Sequence, residues 1–161
     1  MKTKVTVILG IDCGLSTGYA VVSDATALST GKLIGFGLLQ YKKTPKGIGE
    51  IWNKFREDLK KIIREFDVSC IYFEKPHLRG FSATENLVNM TGRVKEVAYE
   101  VDLPCHGVHS GTLKKSFTGS GKATKEDMIR KAKFYSHTIE DHNIADAIGL
   151  AFFGYNKELE T

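Results

Sequence analysis

No run of about 18 apolar residues occurs in the chain, so no segment is long and apolar enough to cross a bilayer as a helix. The opening Met1-Lys2-Thr3-Lys4 and the apolar run behind it lack the length and the small-residue cleavage site of a leader; residues 5–12 read instead as a strand. Cysteine is scarce. Cys13, Cys70 and Cys105 are widely spaced and odd in number, so they offer neither a zinc spacing motif nor a disulfide framework, which suits a reducing cytoplasm. Only three prolines are present, and there is no proline-rich linker, low-complexity tract or internal repeat. The 161 residues read as one continuous domain, residues 1–161, and a hydrophobic content of 42% excludes a disordered chain. The charge excess is small as well, at +4. Most of it is local: between Ser110 and Lys133, seven basic side chains face only Glu126 and Asp127. Such a cluster fits a polyanionic partner as well as it fits a solvated face.

What is present has a clear order. Residues 5–12 are β-rich and almost wholly apolar, as a central strand would be. Residues 14–18 are turn material, and 19–22 and 32–40 read as second and third strands, the latter weakened by two glycines. Ile48, Ile51, Trp52, Phe55, Leu59, Ile62, Ile63 and Phe66 recur at helical spacing, with charged residues opposite. Residues 70–74 form a short strand ended by Pro76. Ser82 and Glu85 have the spacing of a capping box opening a helix that runs to about 101. Residues 104–109 are a fifth strand, Thr124 and Asp127 mark another helix start, and the last helix covers about 143–157. Three strands followed by alternating helices and strands predict an α/β fold with a mixed sheet.

Three acids stand out against this pattern. The last helix is apolar around Asp146, and a buried, unpaired carboxylate costs several kcal/mol or becomes protonated. Asp12 ends an apolar strand, and Glu74 ends another. If those strands are neighbours, the three carboxylates converge at one edge of the sheet. Oxygen donors suit Mg²⁺ or Mn²⁺, and a pair of such ions about 3.5–4 Å apart can promote phosphodiester cleavage. Each acid alone is equally consistent with a strand-end salt bridge.

The run Ile8-Leu9-Gly10-Ile11-Asp12-Cys13-Gly14-Leu15-Ser16-Thr17-Gly18-Tyr19-Ala20 resembles the opening of the RuvC family of Holliday junction resolvases. Ile71-Tyr72-Phe73-Glu74 resembles that family's second acidic strand, and Ala145-Asp146-Ala147 its closing helical motif. The resemblance implies an RNase H-like fold, a homodimer acting on branched four-way DNA, and two Mg²⁺ ions per site, replaceable by Mn²⁺, held by Asp12, Glu74 and Asp146. It implies a cytoplasmic enzyme of a bacterium or of a phage-infected bacterium; the short, Lys-rich chain leans towards a phage-type member. Lys114 and Lys125 flank Gly119-Ser120-Gly121 much as functional lysines do in the family, with Lys125 the catalytic candidate. Lys115 and Lys122 are further DNA contacts, or solvated loop lysines. The loop after Glu74, with His77, Arg79 and Phe81, corresponds to a segment that enters the junction; Phe81 can stack on a base or staple the following helix. One position departs from the family: Asn143 stands where Asp or His usually supplies a fourth ligand, three residues before the last acid. His142, four residues before Asp146, shares its helical face, and Asp141 is either a ligand or a helix cap.

Two rival readings accompany this one. The Asp12–Gly18 segment also resembles the phosphate loop of actin-like ATPases and sugar kinases. A junction-selective DNA-binding module without cleavage is the other, although such a protein has no need to keep all three acids.

Overall fold

The computed structural model describes residues 4–24 and 30–161; residues 1–3, part of the leader reading above, lie outside it. It has five strands and five helices: β1 (Val7–Asp12), β2 (Ser16–Ser23), β3 (Lys32–Gln40), α1 (Ile48–Phe66), β4 (Cys70–Glu74), α2 (Phe81–Glu100), β5 (Cys105–Val108), α3 (Ser110–Thr118), α4 (Lys125–Ala132) and α5 (His142–Leu159). The strands form one mixed sheet in the order β3-β2-β1-β4-β5. β1, β2 and β3 make an antiparallel meander, while β4 and β5 add in parallel through crossovers containing α1 and α2. Among the described residues, no helix is long and apolar enough to cross a membrane.

β1 is apolar at nearly every position because both of its faces are covered. Val7, Leu9 and Ile11 point to one side and join a core with Phe55, Leu59, Met90 and Val94 of α1 and α2. Ile8 points to the other side and packs with Ile148, Leu150 and Ala151 of α5. α5 is itself covered twice, by the sheet and by α3 and α4. That explains a helix with buried residues around most of its circumference.

The structure corrects several expectations. A helix, α3, occupies 110–118, where no element was expected; its weak apolar stripe, Leu113 and Phe117, is too short to stand out among basic and small residues. β2 begins at Ser16, inside the expected turn. Thr17 explains the short reversal: its hydroxyl is fully buried, donates to the Gly14 carbonyl and accepts from the Gly14 N–H, so the chain turns within Cys13–Leu15. The Ser82–Glu85 capping box does not form. α2 starts at Phe81 with Gly80 as its N-cap, which puts Ser82 inside the first turn, while Thr84 bonds back to Arg79. The Thr124–Asp127 capping box is present in full.

Candidate active site

Three core elements deliver the three acids to one place. β1 and β4 are parallel neighbours with Ile11 beside Phe73, so Asp12 and Glu74 leave the sheet side by side at its C-terminal edge. Asp146 comes from the first half of α5, which crosses β1 and β2 at unusually close range. Gly10 and Gly18 permit that approach: a Cβ on Gly10 would overlap the Ala147 carbonyl oxygen, and one on Gly18 the Asn143 carbonyl. Asp12, Glu74 and Asp146 then each offer a carboxylate oxygen within 4.8 Å of the others.

This arrangement is electrostatically costly as it stands. Burial, then the charges of Asp146 and Glu74, push the Asp12 carboxyl well above its ordinary range. Burial and Glu74 push Asp146 up to about 7, although Lys114 and Lys125 act in the opposite direction. A dication among the three oxygens would reverse the balance by favouring the ionised forms. Hard oxygen donors, a crowded set of negative charge and a position at the mouth of a cavity all fit Mg²⁺ or Mn²⁺.

The acids open onto a cavity of about 810 Å³. Lys114 on α3 and Lys125, the first residue of α4, line it with His142 and Asn143. His77 and Arg79, in the loop between β4 and α2, line it as well. His77 Nδ1 lies 3.8 Å from the Glu74 carboxylate, and Arg79 Nε donates to His77 Nε2 at 2.9 Å. Lys115 and Lys122 are exposed and do not border the cavity. Phe81 is 89% exposed, so it does not staple α2. Asp141 resolves as the N-cap of α5: its Oδ1 accepts from the backbone N–H groups of Asn143 and Ile144. Burial and Lys125 hold the His142 imidazole below its ordinary pKa, which favours the neutral, ligand-competent form.

Part of the cavity lining was not foreseen. Trp52 of α1, whose Nε1 donates to Asn86 Oδ1 of α2, borders the cavity together with Lys43 and Ser110. Trp52 lies on the apolar stripe of α1, so its sequence pattern marks it as core. In the fold it is only partly buried and borders the cavity.

A sequence profile of the crossover junction endodeoxyribonuclease RuvC family matches residues 8–153, a span that contains all three acids. The chain belongs to the RuvC family. Its RuvC relatives include a crossover junction endodeoxyribonuclease of Chlorobium chlorochromatii, 30% identical over 151 residues, covering 90% of this chain and 77% of that one. A second, from a Wolbachia of Brugia malayi, is 30% identical over 148 residues, covering 89% and 90%. Among solved structures, Thermus thermophilus RuvC in complex with a Holliday junction substrate superposes with a TM-score of 0.79 at 21% identity, over 97% of both chains. The RuvC fold is RNase H-like, and the sheet order and flanking helices found here conform to it.

Proposed function

We propose that this chain is a metal-dependent endonuclease that binds four-way DNA junctions and resolves them by paired, symmetric phosphodiester cleavage. The observation that carries this reading is the convergence of Asp12, Glu74 and Asp146 at a cavity bordered by Lys114 and Lys125. Support comes also from the relatives, which are crossover junction endodeoxyribonucleases, one of them solved on a Holliday junction.

In this reading the whole chain is one nuclease domain, and Asp12, Glu74 and Asp146 hold divalent cations, two per site, with Mn²⁺ able to replace Mg²⁺. When bound, such ions activate a water for in-line attack at phosphorus and stabilise the departing oxygen. The remaining work falls to the protein. Asp12 and Asp146 give up the protons that burial and the neighbouring carboxylates make them retain. Asn143, through its carbonyl oxygen, or His142 completes the shell from the same face of α5, while Asp141 is engaged as the cap. Lys125 neutralises the scissile phosphate as charge develops, and Lys114 positions the neighbouring one. Lys115 and Lys122 contact flanking phosphates. His77, Arg79 and Phe81 reach into the branch point, where the exposed Phe81 ring can stack on an unpaired base.

A synthetic four-way junction, incubated with the protein and Mg²⁺ beside a linear duplex of the same sequence, tests the reading. Paired nicks at symmetric positions in the junction, and none in the duplex, are expected. Tight binding without nicking in either Mg²⁺ or Mn²⁺ would point to a binding module. Hydrolysis of ATP without DNA cleavage would point to a phosphotransferase.

A further inference from the structure

A second group of ligand-type side chains converges far from the acidic cavity. Cys70 opens β4, His106 lies on β5 and Glu158 lies in the last turn of α5, and one donor atom from each falls within 4.8 Å of the others. Cys70 and Glu74 are the two ends of β4, so about 13 Å of extended chain separates the groups on that strand. On α5, Asp146 and Glu158 stand about 18 Å apart along the helix axis. We propose that Cys70, His106 and Glu158 form a second metal site, for a borderline-soft dication of the Zn²⁺ type, that ties together the far ends of β4, β5 and α5.

The donor chemistry separates this site from the first. One thiol sulfur, one imidazole nitrogen and one carboxylate oxygen suit Zn²⁺, whereas Mg²⁺ selects oxygen alone. Tetrahedral Zn²⁺ with bonds of about 2.0–2.3 Å needs its donors about 3.3–3.8 Å apart. The observed group therefore requires only a small closure. All three donors sit on regular elements, and the group is already held in place. Tyr72 donates from its hydroxyl to Glu158 Oε1 at 2.8 Å, the Cys70 thiol lies 3.7 Å from the same oxygen, and the His106 ring packs against Tyr72 at 5.0 Å. A Cβ on Gly154 would overlap the Tyr72 ring, so the glycine lets α5 and this corner of the sheet meet. His106 is exposed, which leaves the fourth coordination position facing solvent and open to water. Burial and Glu158 push the Cys70 thiol up to about 12, so it is protonated at neutral pH without a cation. Binding forms a metal–sulfur bond and releases that proton to solvent, so affinity rises with pH. No spacing motif betrays the site because its members are brought together only by the sheet and the last helix.

The full-length chain, titrated with Co²⁺ as a spectroscopic stand-in for Zn²⁺, tests this directly. This site is independent of the nuclease reading, and Asp146→Asn separates them by removing one of the clustered acids. Wild type and Asp146→Asn are both expected to develop a thiolate-to-cobalt charge-transfer absorption that one equivalent of Zn²⁺ abolishes. Cys70→Ser should lose it. His106→Ala, which removes an exposed side chain and leaves the core intact, should weaken Co²⁺ binding by at least about tenfold. Wild type should melt at a higher temperature with Zn²⁺, and His106→Ala should not. Absence of the absorption in wild type would overturn the proposal, leaving Cys70 as a hydrogen-bonded thiol. Absorption that survives Cys70→Ser and disappears with Cys13→Ser or Cys105→Ser would also overturn it.

Discussion

Asp12, Glu74 and Asp146 are placed at a cost, and the cost is measurable. A folded Asp146 that titrates at about 7, against an ordinary 3.8, binds its proton more tightly than the unfolded chain does. Its contribution to metal-free stability is therefore complete below the ordinary value and is lost as pH rises to about 7. Asp146→Asn removes that dependence. In chelator, the melting temperature of the variant should gain on wild type across this window and then hold its advantage. The expected gain is at least about 1 kcal/mol, or about 2–4 °C for a chain of this size. A constant gap between the two profiles would contradict the assignment. Mg²⁺ should raise the wild type selectively. For activity, Asp12→Asn, Glu74→Gln and Asp146→Asn should each abolish nicking and leave junction binding largely intact, because phosphate contacts carry the affinity. A residue whose variant nicks at the wild-type rate leaves the site. The fourth ligand is decided by Mg²⁺ titration. Asn143→Asp should lower the half-maximal Mg²⁺ concentration if Asn143 coordinates, and His142→Ala should raise it if His142 does. If neither shifts, a water completes the shell.

α5 carries both its own acid and the distance that makes the acid useful. Gly10 and Gly18 let the helix lie against β1 and β2, and a methyl on Gly18 would collide with the Asn143 carbonyl, one turn from Asp146. Gly18→Ala should cost roughly 1–3 kcal/mol through overpacking. By displacing Asp146 from its partners it should also slow nicking by about a hundredfold. Unchanged melting and unchanged nicking would show that the helix position is not set there. The elements that sequence reveals well are those with one dominant period: the doubly buried β1, the amphipathic α1, and α4 with its Thr124–Asp127 box. The three acids were legible as charges out of place, Asp12 and Glu74 at the ends of apolar strands and Asp146 within an apolar helix. α3 was missed because Leu113 and Phe117 are its only buried side chains. The start of α2 was misplaced because Ser82 and Glu85 carry the spacing of a cap two residues too late. The place of Trp52 in the cavity lining and the Cys70–His106–Glu158 group were invisible, since both depend on how elements are placed and not on any local pattern.

Among the described residues, Asp12, Glu74 and Asp146 make one cluster of acids at one cavity, while a four-way junction requires two symmetric cuts. We therefore expect a two-fold homodimer with both cavities on the same side. Val88 and Tyr99 on α2 are exposed, Tyr99 at 88%, and apolar side chains left in solvent on one helix are suited to meeting their own copies. Sedimentation at micromolar concentration should give a dimer, and Tyr99→Glu should shift it towards monomer. A wild-type monomer both with and without junction DNA would exclude the arrangement. Nicking tests the central claim most directly: the protein and its Asp146→Asn variant are mixed with a labelled synthetic four-way junction, and Mg²⁺ is added. The prediction is paired cuts at symmetric positions for wild type, dependent on Mg²⁺, and none for the variant despite comparable binding. Cleavage that persists in chelator or in Asp146→Asn, or an uncut junction in saturating Mg²⁺ and Mn²⁺, would contradict it.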